Sequence, residues 1–499
     1  MMSTPHEDIA SDFQVFVTAA EAWPALERAV LGSKVSFFAG FRIFDLSTKL
    51  RSREALDVGA TWFDLLEHAL RRGVQVSIVV SDFDPVMAVK LHELAWRTVR
   101  QGAALAETAE VGADQLRIAA HMHPAQAGFL PWLFFTPIVA ARKAKLKAAL
   151  DTIRVRRQAI GLRSSELPSL FPATHHQKVA VVDDELLYIG GLDLNERRYD
   201  TPEHDRPAKD TWSDVQILAR GPEAKEARRH LDTFKASTDG RSPPPDCTSL
   251  RRTLSAPRRF QLPFLSPRTL LAEIEASHVK AFRTARQLIY IETQFFRSSV
   301  IADALAETAA TNPDLTAVIV LPALPDNIAY EGKRGLDARF GIARRQSALR
   351  KIQDAFGSRL TLCVPVQPKM APKESIECLS GSPLIHVHNK VLVTDNTYAL
   401  IGSANLNGRS MRWDTEIALE ITDLDRVARV RERLMRHWWF EPLPSEGKSH
   451  ETLQPWWHRE VARNGLRLPK NRSGFLVPFD GNKGADLAQD LPGVTENIV

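Results

Sequence analysis

The chain has 499 residues, 44% hydrophobic and 25% charged, with a formal net charge of +5 and a sequence pI of about 9.0. These are the proportions of a soluble globular protein with room for two or three domains or one bilobal unit, and the mild basic excess admits nucleic acid, anionic lipid or any phosphate-bearing substrate without choosing among them. Three cysteines, Cys247, Cys363 and Cys378, with no CxxC pair, argue against a disulfide framework or a zinc cluster and fit a reducing compartment.

The first residues, MMSTPHEDIASDF, are polar and acidic, without the basic and apolar runs of a signal peptide. Residues 35–45 (VSFFAGFRIFD) read as a buried strand, and 74–80 (VQVSIVV) and 115–120 (QLRIAA) as two more. Residues 128–141 (GFLPWLFFTPIVAA) fall short of the ~18–20 apolar residues that span a bilayer, and Pro131 and Pro137 interrupt them. A basic stretch follows, with Arg142, Lys143, Lys145, Lys147, Arg154, Arg156 and Arg157. The pair reads either as a surface-seeking segment beside anionic lipid or as a buried helix or lid.

The same order of elements then recurs. Residues 288–297 (LIYIETQFFR) match 35–45, 315–321 (LTAVIVL) match 74–80, and 359–364 (RLTLCV) match 115–120. Short apolar runs alternating with helical patterns predict an α/β fold. Two copies predict two similar α/β sandwich halves, mixed β-sheets flanked by helices, related by a pseudo-two-fold with the active site at their interface. The expected division is 1–240 for the first half, 241–264 (Pro-, Ser- and Arg-rich) for a linker, 265–442 for the second half and 443–499 for a tail, its Gly/Asp-rich end poorly ordered. Trp438-Trp439 and Trp456-Trp457 read as core or domain packing, with membrane contact as the other reading.

Each half carries one His-x-Lys-x4-Asp: His176, Lys178 and Asp183, then His388, Lys390 and Asp395. In a chain of this composition two chance copies have a probability on the order of one in a thousand. On a strand His and Lys two apart face the same way, whereas Asp, at an odd offset, falls near the strand end and anchors a turn. Lysine suits the non-bridging oxygens of phosphate, and histidine can attack or pass a proton near neutrality. Cleaving a phosphodiester without metal takes a nucleophile and an acid, and two copies supply both. Gly190-Gly191-Leu192-Asp193-Leu194-Asn195 follows the first motif and Gly402-Ser403-Ala404-Asn405-Leu406-Asn407 the second. Gly191 and Asp193, with Ser403 and Asn405, are therefore candidate phosphate-binding positions, although tight strand-to-helix turns also favour glycine.

These residues resemble the phospholipase D superfamily over roughly residues 30–440. The strings around Arg198-Tyr199-Asp200-Thr201-Pro202-Glu203-His204, Ile289-Tyr290-Ile291-Glu292-Thr293-Gln294 and residues 401–411 (IGSANLNGRSM) resemble its eukaryotic-type phospholipases. The resemblance implies a catalytic set of His176, Lys178, Asp183, His388, Lys390 and Asp395. It implies that His176 attacks phosphorus to give a phosphohistidine while His388 serves as acid and then base. It also implies that Glu416 orients His176 and Asp214 orients His388. Trp212-Ser213-Asp214 departs from the family's Trp-His-Asp, which weakens the Asp214 assignment.

The implied activity is hydrolysis of phosphatidylcholine-like lipids to phosphatidic acid and free head group, with transfer to an alcohol as a side reaction. Alternatives within the superfamily are a phosphatidyl transferase of cardiolipin-synthase type and a nuclease, although no aromatic-interleaved basic groove is legible. An inactive binding protein is disfavoured by the intact His and Lys positions. Neither a metal nor another cofactor is implied. The expected setting is a monomer acting at a membrane surface from the cytoplasm, with no transmembrane segment and no nucleic-acid partner, or else an effector exported without a signal peptide.

Overall fold

Valine- and isoleucine-rich runs of five to seven residues become the strands of two mixed sheets. The structure is a computed structural model and describes residues 12–150, 169–330, 332, 335–491 and 494–498. Residues 1–11 and Arg154, Arg156 and Arg157 of the basic stretch lie outside the described residues, as does the Lys147 side chain.

The first sheet contains β1 (Phe13–Phe16), β2 (Ser36–Phe41), β3 (Gln75–Ser81), β4 (Leu116–His121), β5 (Lys178–Val182), β6 (Leu186–Gly190) and β7 (Gln216–Arg220), in the order β1-β7-β6-β5-β2-β3-β4. The second contains β8 (Leu250–Ala256), β9 (Arg268–Ala272), β10 (Leu288–Thr293), β11 (Thr316–Val320) and β12 (Leu360–Pro365). After a small hairpin of β13 (Cys378–Leu379) and β14 (Ser382–Pro383) it adds β15 (Lys390–Thr394), β16 (Tyr398–Gly402), β17 (Glu416–Ile421) and β18 (Leu476–Pro478). Its order is β18-β12-β11-β10-β15-β16-β17-β8-β9. The run β7-β6-β5-β2-β3-β4 therefore repeats as β17-β16-β15-β10-β11-β12. In both copies the pairs beyond the motif strand are parallel and the pair to the motif strand is antiparallel.

The parity of β5 and β15 divides the core. Val179 and Val181 join Val391, Val393, Ile401 and Ile417 in one cluster that fuses the two sheets. Ala180 and Val182 face a second cluster under the helices of the first half, and Leu392 a third under those of the second. Helix Leu424–His437 shows how local chemistry fixes these elements. The Asp423 side chain accepts the Arg426 N–H at its start, Arg436 and His437 sit in its last turn, and Val427, Val430 and Leu434 form its buried stripe.

Two expectations need correction. The stretch 241–264 is not a bare linker: Leu250–Ala256 is the strand β8, paired with β17. Its alternation was hidden by arginines, of which Arg252 is buried and ion-paired to Glu273. The tail likewise contributes to the second half. Helix Leu453–Leu466 packs on it and β18 pairs with β12. Trp438 and Trp457 are fully buried, and the Trp439 ring meets Trp457 at 5.3 Å and Trp456 at 4.8 Å, so these tryptophans are packing residues. Among the described residues no helix is long and apolar enough to cross a membrane.

Candidate active site

The motif strands bring their N-terminal ends together where the two halves cross. Just before β5, the His176 N–H donates to Thr415 O (2.8 Å) and the Thr415 N–H to Thr174 O (2.9 Å). The symmetric stitch joins Ser213 N–H to His386 O and His388 N–H to Ser213 O, both at 2.8 Å. Each half thus carries the carboxylate for the other half's histidine. His176 Nδ1 lies 2.9 Å from Glu416 Oε1, and His388 Nδ1 lies 2.6 Å from Asp214 Oδ2. With Nδ1 occupied, Nε2 is the nitrogen left for chemistry in both rings.

The glycines shape these contacts. A Cβ on Gly191 would stand 2.1 Å from Asp214 Oδ1, so only glycine leaves room for that carboxylate. At the equivalent position the second half has Ser403, whose hydroxyl donates to Glu416 Oε2 at 2.5 Å. The departure at Ser213 leaves the Asp214–His388 pair intact, because Ser213 contributes through its backbone.

Lys178 and Lys390 are buried, and each Nζ donates to the carbonyl of its own motif histidine, Lys178 to His176 O at 2.5 Å. Lys390 also reaches Gln294 Oε1 at 3.4 Å. Burial lowers Lys178 and pushes Lys390 down to about 7, with Asp214 and Glu416 opposing. Burial, reinforced by Lys178, Lys390, Arg42 and Arg409, holds His176 well below the ordinary histidine value. Burial, with Lys390, Arg198, Lys178 and His386, does the same to His388. Burial raises Asp214 to about 7 and Glu416 to about 8 against the pull of the lysines. The motif side chains are desolvated and surrounded by cations, which together hold both imidazoles toward the neutral form.

Asp183 and Asp395, grouped with the catalytic set by their motif, are placed elsewhere. Each lies at the far end of its strand, about 16 Å from the lysine at the strand rise per residue. Asp183 accepts the N–H groups of Lys34, Val35 and Ser36, each at 2.8 Å. Asp395 accepts those of Arg286, Gln287 and Leu288, each at 2.9 Å. Both have positive φ, 53° and 51°, which aspartate tolerates better than most residues. They clamp the strand β2 or β10 to the motif hairpin. Asp193 holds the Ile43 N–H through Oδ1 (3.0 Å), and among the described residues its buried Oδ2 has no partner. Asn405 Oδ1 is likewise buried and unpartnered, so both residues turn an unsatisfied oxygen inward at equivalent places.

Sequence reasoning missed the arginines and the residues that lock each motif's middle position. The Arg198 guanidinium lies 3.7 Å over the Trp212 ring, and that ring also meets the His386 and His388 rings in tilted contacts at 4.5 and 4.7 Å. Arg42 and Arg409 complete the cationic rim. Asn389 donates to the buried Glu292, which also accepts from Tyr290 and from Trp438 Nε1 (2.9 Å). Burial raises Glu292 to about 6. In the first half His230 meets Gln177 at 2.6 Å instead. Arg198 and Glu292 stand in the strings already noted as family-like, which was the available signal; His230 had none. Among the described residues no group of three or more His, Cys, Asp or Glu side chains is arranged to hold a metal ion.

Two sheets of one design, joined where two histidines exchange carboxylates, are the arrangement that the resemblance implied, and the comparisons support membership of the phospholipase D superfamily. The family model described as "Cardiolipin synthase, PLD-like domain" matches residues 279–438. Phospholipase D1 of Schizosaccharomyces pombe (strain 972 / ATCC 24843) is 26% identical over 348 residues, covering 50% of this chain and 25% of that protein. Phospholipase D gamma 2 of Arabidopsis thaliana is 23% identical over 390 residues, covering 52% and 45%. The matches therefore span less than half the length of these relatives. The crystal structure of phosphatidylserine synthase from Haemophilus influenzae Rd KW20 superposes with a TM-score of 0.52 at 12% identity, covering 91% of this chain and 94% of the other, a likeness of fold.

Proposed function

We propose that the protein is a phospholipase D-type phosphodiesterase that cleaves the distal phosphodiester of glycerophospholipids at a membrane surface. The observation that carries this reading is the crossed pair His176–Glu416 and His388–Asp214 beside two buried lysines. Neutral His176 Nε2 attacks phosphorus, forming a P–N bond as the P–O bond to the head group breaks. His388 delivers its Nε2 proton to the leaving alkoxide. The phosphate's negative charge offsets the cationic surroundings and lets His388 hold that proton. Water then attacks phosphorus, passing a proton to His388, and the P–N bond breaks to free phosphatidic acid. Lys178 and Lys390 stabilise the charge on the non-bridging oxygens throughout. The carboxylates fix each ring's tautomer and stabilise the imidazolium of His388.

Phospholipid is favoured over nucleic acid by the exposed apolar helix Phe129–Leu150, whose Phe134 is 75% exposed. Incubation with phosphatidylcholine and ethanol is expected to yield phosphatidic acid and phosphatidylethanol, the second because an alcohol can replace water on the phosphohistidine. Cleavage of bis(p-nitrophenyl) phosphate without turnover of any phospholipid would remove the lipid and keep the chemistry.

A further inference from the structure

We propose that helix Phe129–Leu150 and the turn at residues 258–268 form one membrane-docking face that recognises an anionic lipid bilayer; this rests on the lipid reading above and adds where the membrane is met. On the helix Phe129, Leu130, Leu133, Phe134 and Ile138 are all more than half exposed. They recur at four-residue steps, which sets them on one face. The opposite face is also apolar and packs inward through Val139. A helix apolar all round is ordinarily buried; this one leaves a whole face to solvent.

The turn supplies the second part. Phe260 (64% exposed), Leu262 and Phe264 project beside the helix start. Two backbone bonds fix them there: Gly128 N–H donates to Phe264 O (2.8 Å) and Leu130 N–H to Leu262 O (3.0 Å). A Cβ at position 128 would stand 1.8 Å from Gln261 O, so glycine is required for the approach. The two segments therefore present one continuous apolar surface.

Charge selects its occupant. Residues 122–150 and 247–272 contain no Asp or Glu. They bring Arg142, Lys143 and Lys145 to the helix and Arg258, Arg259 and Arg268 to the turn. An apolar face with a basic margin, formed by two segments that carry no carboxylate of their own, suits the interface of a bilayer carrying anionic lipid. A second copy would set these cations against their own kind across a two-fold. The face is tied to the proposed site. Ala127 N–H donates to Leu170 O (2.8 Å), on the segment leading to His176, and Thr269 Oγ1 to Arg412 O (2.9 Å), just before Glu416.

The test is co-sedimentation of the full chain with phosphatidylcholine vesicles containing or lacking phosphatidylglycerol. Binding is expected to need phosphatidylglycerol and to weaken with salt. The double variant Leu133→Asp, Phe134→Asp is expected to bind about 100-fold more weakly, while cleaving bis(p-nitrophenyl) phosphate at the unaltered rate. Should that variant fail to fold, a nitrobenzoxadiazole label on Phe260→Cys is expected to shift to the blue on vesicle addition. Unchanged binding of the folded variant, no shift of the label, or a stable dimer that the variant dissociates would overturn the proposal. Vesicle binding through this face without lipid turnover would instead overturn the phospholipase reading and leave the docking face standing.

Discussion

At the residue scale, the cation proposed to clamp phosphate is set to lose its charge near neutrality. Lys390 is pushed down to about 7 by burial, so it is charged below that pH and neutral above it. His176 lies well below the ordinary histidine value and so stays neutral down through pH 6.5, as the proposed nucleophile must. On the charge of Lys390 alone the kcat/KM profile is expected to fall as pH rises through about 7, with its acidic limb below 6.5. Asp214 and Glu416, raised to about 7 and about 8, ionise in the same window, so a Lys390 variant is needed to separate them. Lys390→Arg keeps its charge at every accessible pH, so its alkaline limb should move upward even though its maximum is lower. A variant profile with an unmoved alkaline limb would take Lys390 out of this role. At this scale the sequence was informative about identity and silent about environment. The spacing of His176 and Lys178 was legible, but the burial that tunes them comes from residues distant in the chain.

At the element scale, the strand and its hairpin explain why the motif ends in aspartate. The odd offset of Asp183 from His176 was readable as a departure from the reactive face, and the structure assigns its carboxylate to three consecutive backbone N–H groups. Asp183→Ala removes both acceptor oxygens, and with them all three bonds, and places alanine at positive φ. It is expected to destabilise the fold by about 1–3 kcal/mol, seen as a lower urea midpoint, with kcat within about threefold of the unaltered enzyme at the strength of a distant, indirect effect. A kcat loss of 100-fold or more at unchanged stability would give Asp183 a chemical role. Elements whose polarity masked their period were not legible. The strand β8 carries Arg251 and Arg252 inside its alternation, and their partners Glu420 and Glu273 cannot be inferred from local pattern.

At the scale of the whole molecule, duplication supplies the logic of the site. Neither half pairs its own motif histidine with a carboxylate: Glu416 serves His176 and Asp214 serves His388. The repeat in strand order was visible in the sequence because fully buried strands are written as uninterrupted apolar runs. The crossing of the pairs was not, since it depends on the stitches between Thr415 and His176 and between Ser213 and His388; only family resemblance suggested the partners. We propose that the chain divides near residue 240, with the second half taking in β8, β18 and the helix between residues 453 and 466.

The most direct test of a shared site with unequal histidines is to trap its intermediate. The His388→Ala variant lacks the base that activates water, so, given a phospholipid with a good leaving group, it should accumulate a covalent adduct. Peptide mass mapping is expected to find one phosphatidyl group, on His176. No adduct under turnover conditions, or an adduct on any other residue, would contradict the assignment of His176 as nucleophile and His388 as its acid and base.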